Sequence, residues 1–297
     1  MKLFRNTIIL LVVLVGLLGY YYYTQKTAKP AESNVVLDIK KSDIASINID
    51  QGGKNLLSLT RVNGKWEMTK PIKYDVDSIN LNDLLNTASS MKAERKFSSN
   101  DLGKYGLDRP AYTAYIGLSN NKNIELKIGS KSPVGMSYFV KVSDKPDVYM
   151  VQATDVEKFM LSNDYVYQYV QKYIFLTAKD KINKIAYIKS GNEYPIQKNK
   201  DGSWVINGKK LNNNDVDKLL DDIVLLQISG IDLGKSPSKD KYDFGLAVYG
   251  DNSEEKAYFV TRDKNSSYVI KDDKSLGMYT SSDKLAELLS DLMRVIK

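Results

Sequence analysis

Four short matches in this chain have the residue types of serine–lysine acyl chemistry. Ser236-Pro-Ser-Lys239 and Ser281-Ser-Asp-Lys284 fit Ser-x-x-Lys, Ser98-Ser-Asn100 fits Ser-x-Asn, and Lys189-Ser-Gly191 fits Lys-Ser/Thr-Gly. Such a set activates a serine nucleophile without any histidine. Its order along this chain is wrong, however, and short matches arise by chance where Ser and Lys are so frequent. The nucleophile should open a helix beside its lysine. Ser236 instead falls in a Gly-Lys-Ser-Pro-Ser loop, and Ser281 falls at the cap of the last helix.

Paired carboxylates are the other candidate chemistry: Asp75 with Asp77, Asp101 with Asp108, and Asp221 with Asp222. Glycoside hydrolysis needs two carboxyls across a cleft at a defined separation, which spacing alone does not provide. Calcium at Asp75–Asp77 needs several more oxygen ligands, and no EF-hand spacing is present. Asp77, just ahead of a helical pattern, reads more simply as an N-cap. The chain has no cysteine and no histidine. That removes Ser-His-Asp and Cys-His hydrolysis, histidine acid–base work and Cys/His zinc sites. It also removes disulfides and a lipoprotein signal. The expectation is therefore no catalytic residue, no metal site and no cofactor.

The elements that would position any site are written twice. In residues 44–94 a strand-like run, a Gly-x-Trp strand at Trp66 and a helix with the pair Leu84-Leu85 follow in order. In residues 182–229 the same order recurs around Trp204 and Leu219-Leu220. Trp66 and Trp204 are the only two tryptophans. Later landmarks recur too, Tyr138–Asp144 with Tyr268–Asp273, and Val148–Met160 with Gly277–Leu289. So long a period means a duplicated domain rather than a solenoid. With 297 residues the chain is long enough for two such units, each with a core. Its 21 tyrosines fall mostly in alternating patterns, where an amphipathic ring suits a half-buried sheet face.

The net charge of +7 suggests an anionic partner until it is divided up. Residues 1–37 carry four basic groups against one acidic, residues 38–160 carry 18 against 15, and residues 161–297 carry 21 against 20. Nearly half of the excess sits beside an apolar N-terminus, and no basic face of the kind that binds nucleic acid stands out.

Residues 1–6 hold Lys2 and Arg5 and read as a cytoplasmic N-terminus. Residues 7–23 are uncharged and strongly apolar, ending in Tyr20–Tyr23 at the level of an aromatic belt. The run ends in bulky side chains where a cleaved signal needs small ones, so an uncleaved transmembrane signal anchor is expected. Cleavage after Ala28 or Ala31 is the alternative. The positive-inside rule then puts the bulk of the chain outside the cytoplasm. Residues 24–34 read as a linker, and residues 35–160 as the first α+β repeat. Residues 161–177 form a tyrosine-rich connector and residues 178–297 a second α+β repeat. Asn63-Gly64 marks a hairpin, Val36–Asp38 a strand, Asp77 or Ser78 a helix start, and Thr154 or Asp155 the start of a second helix. Each repeat is expected to be an antiparallel sheet with a central and a C-terminal helix.

Three segments together resemble the bacterial domain of unknown function 4340: the Trp66 strand with its helix, Asp101–Pro110 with Tyr-Gly-Leu-Asp-x-Pro, and Glu125–Val151. The resemblance covers residues 35–160 well and the second copy more loosely. There Lys241–Tyr249 keeps an aromatic with Gly-Leu but lacks Asp-x-Pro. It implies one N-terminal membrane segment and association with ABC-type export systems of the kind linked to gliding motility. It implies no activity and carries over no site residue. Physically, Gly106 and Pro110 suit a turn ahead of a strand, with Tyr105 and Leu107 as core plugs; Lys131–Pro133 and Gly135 suit another turn.

Two functions follow as expectations. The first is a non-enzymatic, membrane-anchored extracytoplasmic accessory module of an ABC-type envelope transport complex. The second is a binding module for a glycan, peptide or lipid, held in a cleft between the repeats and walled by Tyr165–Tyr173.

Overall fold

The computed structural model describes residues 13–20, 34–162 and 164–296. The first unit runs β1 (Ile44–Gln51), β2 (Lys54–Val62), β3 (Lys65–Lys70), β4 (Tyr74–Asp75), α1 (Ser78–Ser89), β5 (Arg95–Phe97), β6 (Tyr112–Leu118), β7 (Asn123–Lys131), β8 (Ser137–Val142), β9 (Val148–Gln152) and α2 (Ala153–Val156). A short helix, α3 (Tyr165–Tyr169), lies in the connector. The second unit runs β10 (Lys184–Lys189), β11 (Asn192–Lys198), β12 (Trp204–Ile206), β13 (Lys209–Lys210), α4 (Asn213–Val224), β14 (Gly230–Ile231), β15 (Phe244–Tyr249), β16 (Glu254–Asp263), β17 (Ser266–Lys271), β18 (Met278–Ser281) and α5 (Ser282–Ile296).

Each unit is one nine-stranded sheet, in the orders β4-β3-β2-β1-β6-β7-β8-β9-β5 and β13-β12-β11-β10-β15-β16-β17-β18-β14. Strand for strand the two orders are the same, and the pairings are antiparallel. The chain is thus α+β with two similar sheets. Asn63 and Gly64, both at positive φ, turn β2 into β3 as the dipeptide predicts. Asp77 caps α1 by accepting from the amides of Ile79 and Asn80, and Asn212 caps α4 from Asn214. From each cap, apolar side chains recur at helical spacing: Leu81, Leu84, Leu85 and Ala88, then Val216, Leu219, Leu220 and Ile223. These faces enter the apolar core.

The connector clips the units together. Its Val170 bridges Val76, while Asp77 N–H donates to Tyr169 O and Gln171 N–H to Asp75 O. A few residues on, Ile228 N–H donates to Lys172 O and Ile174 N–H to Leu226 O. Val166, Tyr169, Val170, Ile174 and Phe175 enter one continuous apolar core that takes in both units. At its end the amides of Leu176 and Thr177 donate to the Glu255 carboxylate. Glu255 also pairs with Lys271 at 2.9 Å, their side chains only 13% and 9% exposed. By strand register the first unit has Ile124 and Val142 at these two positions.

Some details differ from the sequence reading. Among the described residues no helix is long and apolar enough to cross a membrane. Residues 13–20 are helical, and the rest of the expected anchor lies outside the described residues. Val36–Asp38 is not a strand; Val36 and Leu37 instead donate to Met91 O. The first unit closes on the single turn of α2 and a 3-10 turn, Glu157–Phe159, where the second closes on a 15-residue helix. Phe244-Gly245-Leu246 is not the partner of Tyr105-Gly106-Leu107. It lies inside β15, with Gly245 covered by the Tyr258 ring, whereas the first-unit motif precedes β6.

Candidate functional site

The site is built where the Trp strand faces the central helix. In the first unit Arg61 and Trp66 stand opposite each other across the β2–β3 hairpin. The 3-10 turn Lys41–Asp43 ahead of β1 brings Lys41 to α1, and its ammonium donates to Asn86 Oδ1 at 3.0 Å. The Arg61 guanidinium donates to Ser42 O at 3.1 Å and Gly64 O at 3.5 Å, both carbonyls. Lys65 pairs with Asp75 at 3.3 Å, with both side chains well exposed. Together with Ser42, Ser78, Asn82 and Gln171, these groups line a cavity of about 480 Å³. Half-buried Trp66 and the apolar Val76, Leu81, Leu85 and Leu176 form the rest of its wall. The volume is in the range of small-ligand sites. Lys41, Arg61 and Lys65 face it with Asp75 as its one lining carboxylate.

The second unit has a cavity of about 510 Å³ at the corresponding place, lined by Lys179, Asp180, Lys198, Gly202, Trp204, Asn213, Asp217 and Leu220. Lys179 holds the place of Lys41, Lys198 that of Arg61, and Leu220 that of Leu85. The charges are arranged differently. Lys179 pairs with Asp221 at 2.6 Å and Asp217 at 3.0 Å, residues that correspond to Asn86 and Asn82. The hydrogen bond to Asp221, then that to Asp217, outweigh desolvation and hold the Lys179 ammonium above its ordinary pKa. Lys198 stands 5.9 Å above the ring of Trp204, which is 5% exposed. The second cavity pairs Lys179 with carboxylates and leaves Lys198 on the Trp204 ring, whereas in the first only Lys65 meets a carboxylate.

The serine–lysine set does not assemble. Ser236 Oγ donates to Ser275 O, while Lys239 pairs with Asp273 and lies over the Tyr258 ring at 4.4 Å. Ser281 Oγ accepts from the Asp283 amide at the start of α5. Ser98 donates to Asp147, and Lys189 to Asp243 O. Among the carboxylates, Asp77 is a cap, and Asp101 and Asp108 bond the amides of Lys104 and Arg109 on either side of Gly103. Among the described residues no cluster of acidic groups has the form of a metal site.

The Tyr-Gly-Leu-Asp segment is structural. Gly106 sits at φ +67°, and any side chain at Gly129 of β7 would collide with the Tyr105 carbonyl oxygen. Leu107 is buried, whereas Tyr105 joins Phe97 and Phe139 in a half-buried ring cluster rather than the main core. Tyr167 donates to Ile228 O and Tyr169 to Lys158 O, and the connector residues at the Trp66 cavity are Gln171 and Leu176.

Asp222 has a partner that no spacing announced. It faces Asp291 of α5, which is 2% exposed and pairs with Lys218 at 2.8 Å and Arg294 at 2.9 Å. Burial first, then the hydrogen bond and charge of Asp291, push the Asp222 carboxyl up to about 6. One buried oxygen of Asp222 lacks a donor from the rest of the fold, which a proton shared with Asp291 satisfies.

Residues 66–248, more than half of the chain, match the family model described as Domain of unknown function (DUF4340). No curated protein and no solved structure matches the chain.

Proposed function

The chain belongs to the DUF4340 family, and from that premise we propose that it is a non-enzymatic binding module, held on the extracytoplasmic side of a membrane by its N-terminal segment. Its ligand is a glycan, peptide or lipid component of the envelope, and the Trp66 cavity receives it. One observation carries this reading: two cavities of matching place and volume, of which the second neutralises Lys179 with two aspartates while the first leaves the corresponding Lys41, and Arg61 beside it, on amide and carbonyl oxygens. A cation whose own fold supplies no carboxylate has electrostatic interaction left for a ligand. The clipped, shared core keeps the wall formed by Gln171 and Leu176 in place, which lowers the ordering cost of binding.

The test is a thermal-shift screen of the full-length chain in mild detergent against glycan, peptide and lipid fractions. Stabilisation of the wild type, lost in Trp66→Ala, is the expected result; no shift with any fraction would sink the reading.

A second reading, an accessory module of an ABC-type envelope transport complex, draws on the apolar run of residues 7–23 and on the family resemblance. It is also favoured by the exposed apolar side chains Tyr173, Leu176 and Leu225 along the clip. Here full-length chain, but not chain lacking residues 1–30, should co-purify with transporter subunits if the anchor makes the contact. Recovery by both forms places the contact on the two units, and recovery by neither removes the reading.

A further inference from the structure

We infer that the Trp66 cavity takes an anionic sugar, a saccharide ring carrying a phosphate or a carboxylate. This rests on the reading that the cavity is the binding site, and it names the ligand class. The half-buried Trp66 ring and the apolar side chains beside it offer a flat, non-polar face. A sugar ring presents C–H groups to such a face and hydroxyls at its rim. Ser42, Ser78, Asn82 and Gln171 line the same space with groups that both donate and accept, which hydroxyls require and a hydrocarbon ligand would leave unpaired.

The acid group is placed by Arg61 and Lys41. Arg61 spends Nε and one terminal nitrogen on carbonyl oxygens, so its remaining N–H groups form a pre-positioned donor for a carboxylate or phosphate. Lys41 is held toward α1 by the Asn86 amide, an oxygen that orients the ammonium without cancelling its charge. The second unit is the internal control, because Asp217 and Asp221 already occupy Lys179 where an anion would have to sit.

The test is calorimetric titration of the full-length chain with glucose 6-phosphate, glucuronate, glucose and inorganic phosphate. The two acidic sugars should bind one per chain, at least about tenfold tighter than glucose or inorganic phosphate. The variant Asn82→Asp/Asn86→Asp copies the second unit at exposed helix positions and should weaken both acidic sugars at least tenfold, as should Arg61→Gln in an independent background. Unchanged melting temperatures in these variants show that the fold is intact. Equal affinity for inorganic phosphate overturns the sugar, and equal affinity for glucose overturns the acid group. If no probe binds, the ligand class is wrong; the binding-module reading then still stands if an envelope fraction gives a Trp66-dependent thermal shift, and falls with it if none does.

Discussion

Lys41 in the first unit meets the amide of Asn86, and Lys179 in the second, on the corresponding 3-10 turn, meets the carboxylates of Asp221 and Asp217. Around these pairs the backbone does the same thing twice, with the same strand order, a capped helix after the Trp strand and a cavity of similar size. The difference lies in side chains that the shared scaffold does not require. The second unit has put its charges into internal pairs: Lys179 with its two aspartates, Lys271 with Glu255, and Lys218 and Arg294 with Asp291. The first has apolar Ile124 and Val142 where Glu255 and Lys271 stand, and leaves cations at its cavity. On the proposed reading, one unit holds the molecule together and the other meets a ligand.

The tryptophans give the largest expected contrast. Trp204, 5% exposed, should cost about 3–5 kcal/mol when truncated to Ala, and half-buried Trp66 only about 1–2 kcal/mol, read by urea unfolding. Equal losses would break the comparison. Next is the buried pair that receives the connector. Lys271→Met strands Glu255 and should cost about 3 kcal/mol. Changing Glu255→Ile with Lys271→Val copies the first unit and should recover part of that loss. The remainder is the stranded Leu176 and Thr177 amides.

The Asp222–Asp291 pair adds a pH dependence specific to the second unit. The folded Asp222 carboxyl is raised to about 6, above its unfolded value of about 4, so the folded state binds the extra proton between these limits. The stability it contributes is complete below about pH 4 and is lost as pH rises through about 6. Asp291 shifts the other way, held below the usual carboxylate range by Lys218, and is already ionised over most of that interval. Asp222→Asn should therefore flatten the decline in unfolding free energy between pH 4 and 6 and stabilise the chain at pH 7, on the order of 1 kcal/mol after allowance for solvent screening. The corresponding position in the first unit is Thr87, hydrogen-bonded to Lys158 and to Asp83 O, so Thr87→Val should leave the pH profile unchanged. The smallest contrast is at the caps. Asp77→Ala should cost about 1 kcal/mol and Asn212→Ala about half that, because Asp77 accepts two backbone amides and Asn212 one.

Much of the scaffold was legible because it follows from local chemistry. Asn63-Gly64 makes a hairpin wherever it is flanked by strands, Asp77 caps the run that follows it, and the apolar spacing of Leu81, Leu84 and Leu85 fixes which face of α1 is buried. The Tyr-Gly-Leu-Asp turn was legible as structure, though not the reason for it, since Gly129 under the Tyr105 carbonyl is a tertiary contact. The aromatic-Gly-Leu echo at Phe244–Leu246 misled, because three residue types in a row do not distinguish a turn from a strand interior. The site was the least legible part. Asn82 and Asn86 matter only once α1 is laid against the turn that carries Lys41, and Glu255 meets Lys271 only through strand register.

The proposed asymmetry is a first cavity that takes a ligand at Lys41 and Arg61 and a second whose Lys179 is already held by Asp217 and Asp221. Two single-tryptophan chains separate them: Trp204→Phe keeps the Trp66 reporter, and Trp66→Phe keeps Trp204. Titrated with glucose 6-phosphate, the Trp66 reporter should show a saturable fluorescence change that Asn82→Asp/Asn86→Asp abolishes, while the Trp204 reporter stays flat. A saturable change at Trp204, or the same change at both, would contradict the proposed asymmetry between the two cavities.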